Sequence, residues 1–187
     1  RILCENITSD RKNIENKIQL KKLISDVQNV SLKEIGLPLF IAIDQEGGPV
    51  SRVNFLEELT PQSKIDSQEM ALQIGQKRGQ ELRGLGINLN LAPLLDMTSP
   101  TDFLFERSFQ KESLEIGGLA KQLILGQKTA GILTAIKHFP GYSGITFNPE
   151  ETLAELEETP EISQFKKAME SNPEMIMTAN VIYKNID

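Results

Sequence analysis

Four short apolar runs, separated by helix-patterned stretches and closed by polar or turn residues, constrain this chain more than any other feature. The runs are Pro38-Leu39-Phe40-Ile41-Ala42-Ile43, residues 87–91, Ile132-Leu133-Thr134-Ala135-Ile136, and residues 175–181. A continuous apolar run bounded by turn residues reads as a strand buried on both faces. The stretches between are different. Residues 13–30 place Ile14, Ile18, Leu20, Leu23, Ile24 and Val27 at helical spacing. Residues 67–85 do so with Met70, Leu72, Ile74 and Leu82, before Gly84 and Gly86 end the pattern. Residues 113–130 repeat it up to Gly131, and residues 160–169 predict a shorter helix. Buried strands that alternate with helices make a parallel sheet, either doubly wound or closed as a (β/α)₈ barrel.

Composition narrows the function classes. A chain of 187 residues reads as one domain with room for a real core. Its net charge of −6, with Lys and Arg scattered, argues against a nucleic-acid partner. No apolar run approaches the ~20 residues that span a bilayer, and the chain opens at Arg1 without a charged-then-apolar leader. One histidine and one cysteine exclude an ordinary zinc site. The single thiol, Cys4, reads as a packing residue in a short apolar run at residues 1–4. There is neither a G-x-G-x-x-G nor a G-K-[ST] phosphate loop.

The polar residues that follow the strands carry the functional signal. Asp44 follows the first run, Asp96 the second, Lys137 and His138 the third, and Asn180 closes the fourth. The C-terminal ends of strands are where active sites lie in barrels and open α/β sheets alike. In Asp44-Gln45-Glu46-Gly47-Gly48 the bland reading is a tight turn with solvated acids. The functional one is a carboxylate that accepts hydrogen bonds from ligand hydroxyls, beside a glycine pair that lets backbone approach. Lys137-His138-Phe139-Pro140-Gly141 holds the only histidine, and a lysine directly after five apolar residues must find a partner. Arg52 and Arg107 are loop arginines, ordinarily solvated. Of the acids at 150–158, ordinarily a solvated helix face or loop, only Glu150 lies near the histidine in sequence.

Taken in order, these segments resemble the N-terminal domain of family 3 glycoside hydrolases, in particular the bacterial β-N-acetylhexosaminidase branch. The matching stretches are Leu37 with Pro38 through Asp44-Gln45-Glu46-Gly47-Gly48, Val50 and Arg52; Gly86-Ile87-Asn88-Leu89-Asn90-Leu91-Ala92-Pro93 with Asp96; Arg107-Ser108-Phe109; Lys137-His138-Phe139-Pro140-Gly141; and Ile176-Met177-Thr178-Ala179-Asn180 with Ile186-Asp187. The resemblance spans essentially all of residues 1–187 and implies part of a TIM-type (β/α)₈ barrel, incomplete at both ends, with residues 1–4 as its second strand. Such an arc would leave sheet edges and apolar helix faces unpaired.

The same resemblance implies a terminal sugar at the C-terminal mouth, held by Asp44, Arg52, Arg107, Lys137 and His138. It implies retaining hydrolysis of β-glycosides such as N-acetylglucosaminides, on a small saccharide or muropeptide-like substrate, with no metal or organic cofactor. The branch's acid/base histidine falls at Glu150 and its orienting aspartate at Asn148. The aspartate nucleophile belongs to a motif beyond Asp187. Two other readings stay open: a sugar-binding homologue without catalysis, and an unrelated phosphate-binding barrel or aldolase that uses Lys137 as a Schiff-base amine.

Overall fold

The computed structural model describes Ile2–Leu3 and residues 14–186. The expectation that Cys4 packs in a strand lies outside the described residues, as does the match at Asp187. Strands β1 (Ile2–Leu3), β2 (Ala42–Ile43), β5 (Leu89–Asn90), β6 (Leu133–Phe139) and β8 (Met175–Thr178) form one sheet in that order, every pair parallel. Helices α1 (Lys17–Ile35), α2 (Gln68–Leu85), α3 (Ser113–Thr129) and α4 (Ser163–Met169) fill the successive connections. Two further pairs lie off the sheet: antiparallel β3 (Gln45–Gly47) with β4 (Val50–Ser51), and parallel β7 (Ala154–Leu156) with β9 (Val181–Tyr183).

The strand order follows the chain without reversing. A doubly wound sheet reverses at a switch point, so that alternative does not describe these strands. Each helix packs on the next, α1 on α2, α2 on α3 and α3 on α4. They therefore line up side by side along the sheet. Ile41 and Ile43 turn toward α1 and α2, where they meet Leu20, Ile24, Leu82 and Leu85. Ile136 joins Ile74, Leu119, Leu123 and Phe165 under α2, α3 and α4. Ala42, Leu89, Leu91 and Ala135 form a separate small cluster on the opposite face. Side chains alternate along a strand, so Asp44 and Lys137, two residues past Ala42 and Ala135, continue that face at the strands' C-terminal ends.

Several boundaries differ from those expected, each for a local reason. Helix α1 begins at Lys17 because Asn16 caps it, its Oδ1 accepting from the Ile18 and Gln19 amides at 3.0 Å each. It runs on to Ile35, where Gly36 supplies the left-handed residue at φ 75°. The first apolar run yields only a two-residue strand. Its lead-in is held by side chains instead: Gln28 bonds Leu39 through both N–H and C=O, and Asn88 bonds Leu39 C=O and Ile41 N–H. The 175–181 run divides, since Val181 leaves β8 to pair with Ala154. Part of the 150–158 stretch, expected as a helix face or loop, is therefore strand β7.

Helices α2 and α3 meet through glycines. A Cβ on Gly75 would lie 2.3 Å from the Leu123 carbonyl oxygen, and one on Gly126 would lie 2.4 Å from the Leu72 carbonyl oxygen. Gly84 faces open space. Gly126→Ala is thus expected to push the helices apart and cost about 1–3 kcal/mol. Gly84→Ala is expected to stabilise by about 0.5–1 kcal/mol through helix propensity alone. Urea unfolding midpoints at unchanged slope measure both.

Candidate active site

Three segments converge where the parallel strands end. The first runs from the end of β2 through β3 and carries Asp44 and Glu46. Gln45 fixes it from both sides: its amide and carbonyl pair with the Asn90 side chain at 3.0 Å each, and its side chain bonds the Val53 backbone. Arg78, fully buried on α2, donates to the Glu46 carbonyl at 2.8 Å and to the Thr60 carbonyl at 3.0 Å. Gly47, at φ 90°, sits so close to Thr60 that a Cβ there would lie 2.0 Å from its carbonyl oxygen. Only glycine fits both the dihedral and the gap.

The second segment is the chain beyond β5. Gln62 clamps it, its side chain accepting from Leu94 N–H at 3.0 Å and donating to Leu94 C=O at 2.9 Å. That clamp delivers Asp96, buried, and the 3₁₀ turn Phe105–Arg107 follows. The third is the end of β6, where Lys137 and His138 emerge.

One carboxylate joins them. Glu46, 1% exposed at its side chain, accepts Arg107 Nε at 3.0 Å and Arg107 Nη2 at 2.7 Å, and pairs with Lys137 Nζ at 2.6 Å. Lys137 Nζ also donates to Asp44 Oδ1 at 2.6 Å. Burial alone would push the Glu46 carboxyl up, but the Lys137 charge and the Arg107 hydrogen bonds outweigh it and hold the group below its ordinary value. Burial likewise opposes charge on Arg107, and the hydrogen bonds to Glu46 reverse that, raising the guanidinium. Asp96 serves the imidazole. Its Oδ2 lies 2.9 Å from His138 Nδ1 and accepts the His138 amide at 3.1 Å, while Oδ1 accepts the Tyr142 amide at 2.9 Å. A ring proton on Nδ1 satisfies this carboxylate, and Nε2 is then the nitrogen that faces a ligand.

A cleft of about 190 Å³ opens beside this cluster. Its lining has a polar part, with Arg107, His138, Glu150 and Asn180, and an apolar part, with Phe103, Leu104 and Met177. Glu150 is exposed and rides on a turn begun by Asn148, whose Oδ1 accepts the Glu150 amide at 3.1 Å. Asn180 secures that turn by donating to the Pro149 carbonyl at 3.1 Å, and its own amide donates to the Tyr142 hydroxyl. Burial raises the Tyr142 phenol, and it pushes Tyr183, whose hydroxyl donates to the Gly141 carbonyl, up to about 12. A larger groove of about 480 Å³ beyond β8 is lined by Phe139, Pro160, Val181 and Ile186 and offers little for a polar ligand.

Of the residues expected at the site, Arg107, His138 and Glu150 line the cleft together. Asp44 and Lys137 are not among the cleft's lining residues; they pair with each other, and Glu46 joins Lys137 to Arg107. Arg52, half-buried just past β4, makes no hydrogen bond or ion pair with any of them among the described residues. Sequence reasoning overlooked Arg78 and Gln62 and gave Glu46 no role. Arg78 had a signal, since it stands on the buried stripe of α2 at i+4 from Ile74 and i−4 from Leu82. Among the described residues no group of three or more His, Cys, Asp or Glu is arranged to hold a metal ion. No helix there is long and apolar enough to cross a membrane.

The acid limb of stability follows from Glu46. Its carboxyl binds a proton less readily when folded than when unfolded, so the stabilisation it gives is complete above its ordinary value of 4.5 and is lost as pH falls below it. Between about pH 5 and pH 3 the parent protein should lose unfolding free energy more steeply than Glu46→Gln does, as measured by urea titration.

Comparison with known proteins places the chain in a family. Residues 3–187 match the model of the glycosyl hydrolase family 3 N-terminal domain. A β-hexosaminidase of Photobacterium profundum is 32% identical over 192 residues, covering 94% of this chain and 54% of the relative. That of Shewanella frigidimarina is 31% identical over 193 residues, with 94% and 55% covered. The chain thus spans about half the length of these curated relatives. A family 3 β-N-acetylglucosaminidase structure from Paenibacillus sp. str. FPU-7 superposes at a TM-score of 0.87 with 27% identity, covering 100% of this chain and 36% of that one. NagZ from Neisseria gonorrhoeae, in complex with N-trifluoroacetyl-D-glucosamine, superposes at 0.83 with 25% identity, covering 100% and 57%. With its parallel α/β fold and a family match along nearly its whole length, the chain belongs to glycosyl hydrolase family 3 and carries that family's N-terminal domain.

Proposed function

We propose that this domain binds the terminal N-acetylhexosamine of a β-glycoside, as the sugar-recognising part of a retaining β-N-acetylhexosaminidase. The observation that carries the reading is the cleft itself, where Arg107 and His138, each held by a buried carboxylate, share the lining with Phe103 and Leu104. A sugar ring needs that mixture. Its hydroxyl and acetyl oxygens accept from Arg107, its hydroxyls donate to His138 Nε2, and its C–H face rests on the apolar part. Asp44, with Oδ1 held by Lys137, accepts from ring hydroxyls, and Arg52 approaches from the hairpin side on ligand binding. The relatives named for β-hexosaminidase and β-N-acetylglucosaminidase activity support the choice of sugar. Cell-wall saccharides and muropeptide-like fragments fit the same chemistry.

Under this proposal the five parallel strands are an arc of a (β/α)₈ barrel, which their unreversed order supports. An aspartate nucleophile supplied from outside residues 1–187 attacks the anomeric carbon. Glu150, at the rim of the cleft, protonates the leaving oxygen and later activates water. A sugar-binding homologue without catalysis is the second reading. It is favoured by the exposure of Glu150, since Asn148 holds only its backbone amide and not its carboxylate. The aldolase-like reading loses ground, because Lys137 Nζ is committed to two carboxylates at 2.6 Å.

Kinetics on the longer protein separates the first two. With p-nitrophenyl N-acetyl-β-glucosaminide, Glu150→Gln should lower kcat by about 10²–10⁴ with KM little changed. An unaltered kcat would remove Glu150 from the chemistry, and no turnover in the parent would favour the binding-only reading. Arg107→Ala should instead raise the dissociation constant for N-acetylglucosamine by about tenfold or more, measured by NMR titration.

A further inference from the structure

The cations at the mouth are not free to choose their positions. Arg107 offers five N–H donors in a planar fork, and Glu46 takes Nε and one proton of Nη2 in a bidentate pair. The donors that remain lie on the guanidinium's outer edge, on the side away from Glu46, and Arg107 lines the cleft. Lys137 is similarly committed, with Nζ shared between Asp44 and Glu46 at 2.6 Å each and its side chain 2% exposed. Glu46 does not line the cleft. Its backbone is fixed by Arg78 below and by the β3–β4 hairpin on either side.

We infer that Glu46 is a positioning residue, one buried carboxylate that sets the rotamers of both Lys137 and Arg107 and so fixes which donor edges the sugar meets. The inference rests on the reading of the cleft as a sugar site. Without a carboxylate at that distance, Arg107, about a quarter exposed at its side chain, turns toward water, and Lys137 has Asp44 alone. A bidentate pair orients as well as attracts. Shortening Glu46 by one methylene keeps the charge but withdraws it from one cation or the other.

The test compares the parent protein with E46D, R107Q and the double variant. N-acetylglucosamine affinity is measured by NMR titration, and folding is monitored on methyl signals of Leu20 and Ile24, on the α1 side of the core. E46D should weaken binding by about tenfold or more, but in the R107Q background, where only the Lys137 contact is left to disturb, the same change should cost several-fold less. A purely structural role would give equal losses in both backgrounds, and that result, or parent-like affinity in E46D, overturns the inference. A second readout does not depend on the sugar. The Arg107 Nε–H of the parent should exchange slowly with solvent, and in E46Q it should exchange at the rate of an exposed arginine. If the parent fails to bind the sugar while this protection is seen and lost as stated, the sugar reading falls and the positioning role stands. If Arg107 Nε–H is unprotected in the parent, the positioning role falls.

Discussion

The carboxylate of Glu46 ties together three parts of the chain that the parallel sheet brings only near one another. It projects from β3, meets Lys137 at the end of β6 and takes Arg107 from the 3₁₀ turn beyond β5. An isolated carboxylate with so little exposure would not stay charged, because desolvation costs several kcal/mol. Two cations and three short contacts reverse that balance. The cost of burial then becomes a constraint, since any displacement of the three segments leaves the buried Glu46 and Lys137 charges uncompensated. Asp96 repeats the scheme for His138 and Tyr142, again from a buried position and again across strand ends.

This arrangement depends on the fold in a particular way. Side chains alternate along each strand, so helix-facing Ile41, Ile43 and Ile136 pack the core while Ala42 and Ala135 leave the other face shallow. Past the last apolar residue the same alternation presents Asp44 and Lys137 on that face. Glycines at the α2–α3 contact draw the helices close, and Arg78 on α2 then reaches the Glu46 backbone. Helix packing and site geometry are thus parts of one network, with Arg78 as the link.

Much of this was legible in the residues. Apolar runs located the sheet strands and helical spacing located four helices, because both signals report burial directly. Lys137 was legible as a buried cation in need of a partner, and its partners are Asp44 and Glu46. What sequence hid were contacts whose logic is not periodic. Gln28 and Asn88 replace ladder bonds before β2, so a six-residue apolar run gives a two-residue strand. The pairing of Ala154 with Val181 joins residues far apart in sequence through a segment whose charge suggested solvent. Glu46 looked like a second solvated acid of a turn, since nothing local announces that an arginine 61 positions away will close on it.

On the proposed reading, buried Glu46 and Asp96 aim the free edges of Arg107 and His138 at a neutral polyol without touching it themselves. A crystal structure of the protein with N-acetylglucosamine tests this most directly. The sugar should lie between Arg107 and His138 against Phe103, with Glu46 still bridging Arg107 and Lys137 and making no contact with the ligand. Sugar bound in direct contact with Glu46, or Arg107 swung away from it in the complex, would contradict the account.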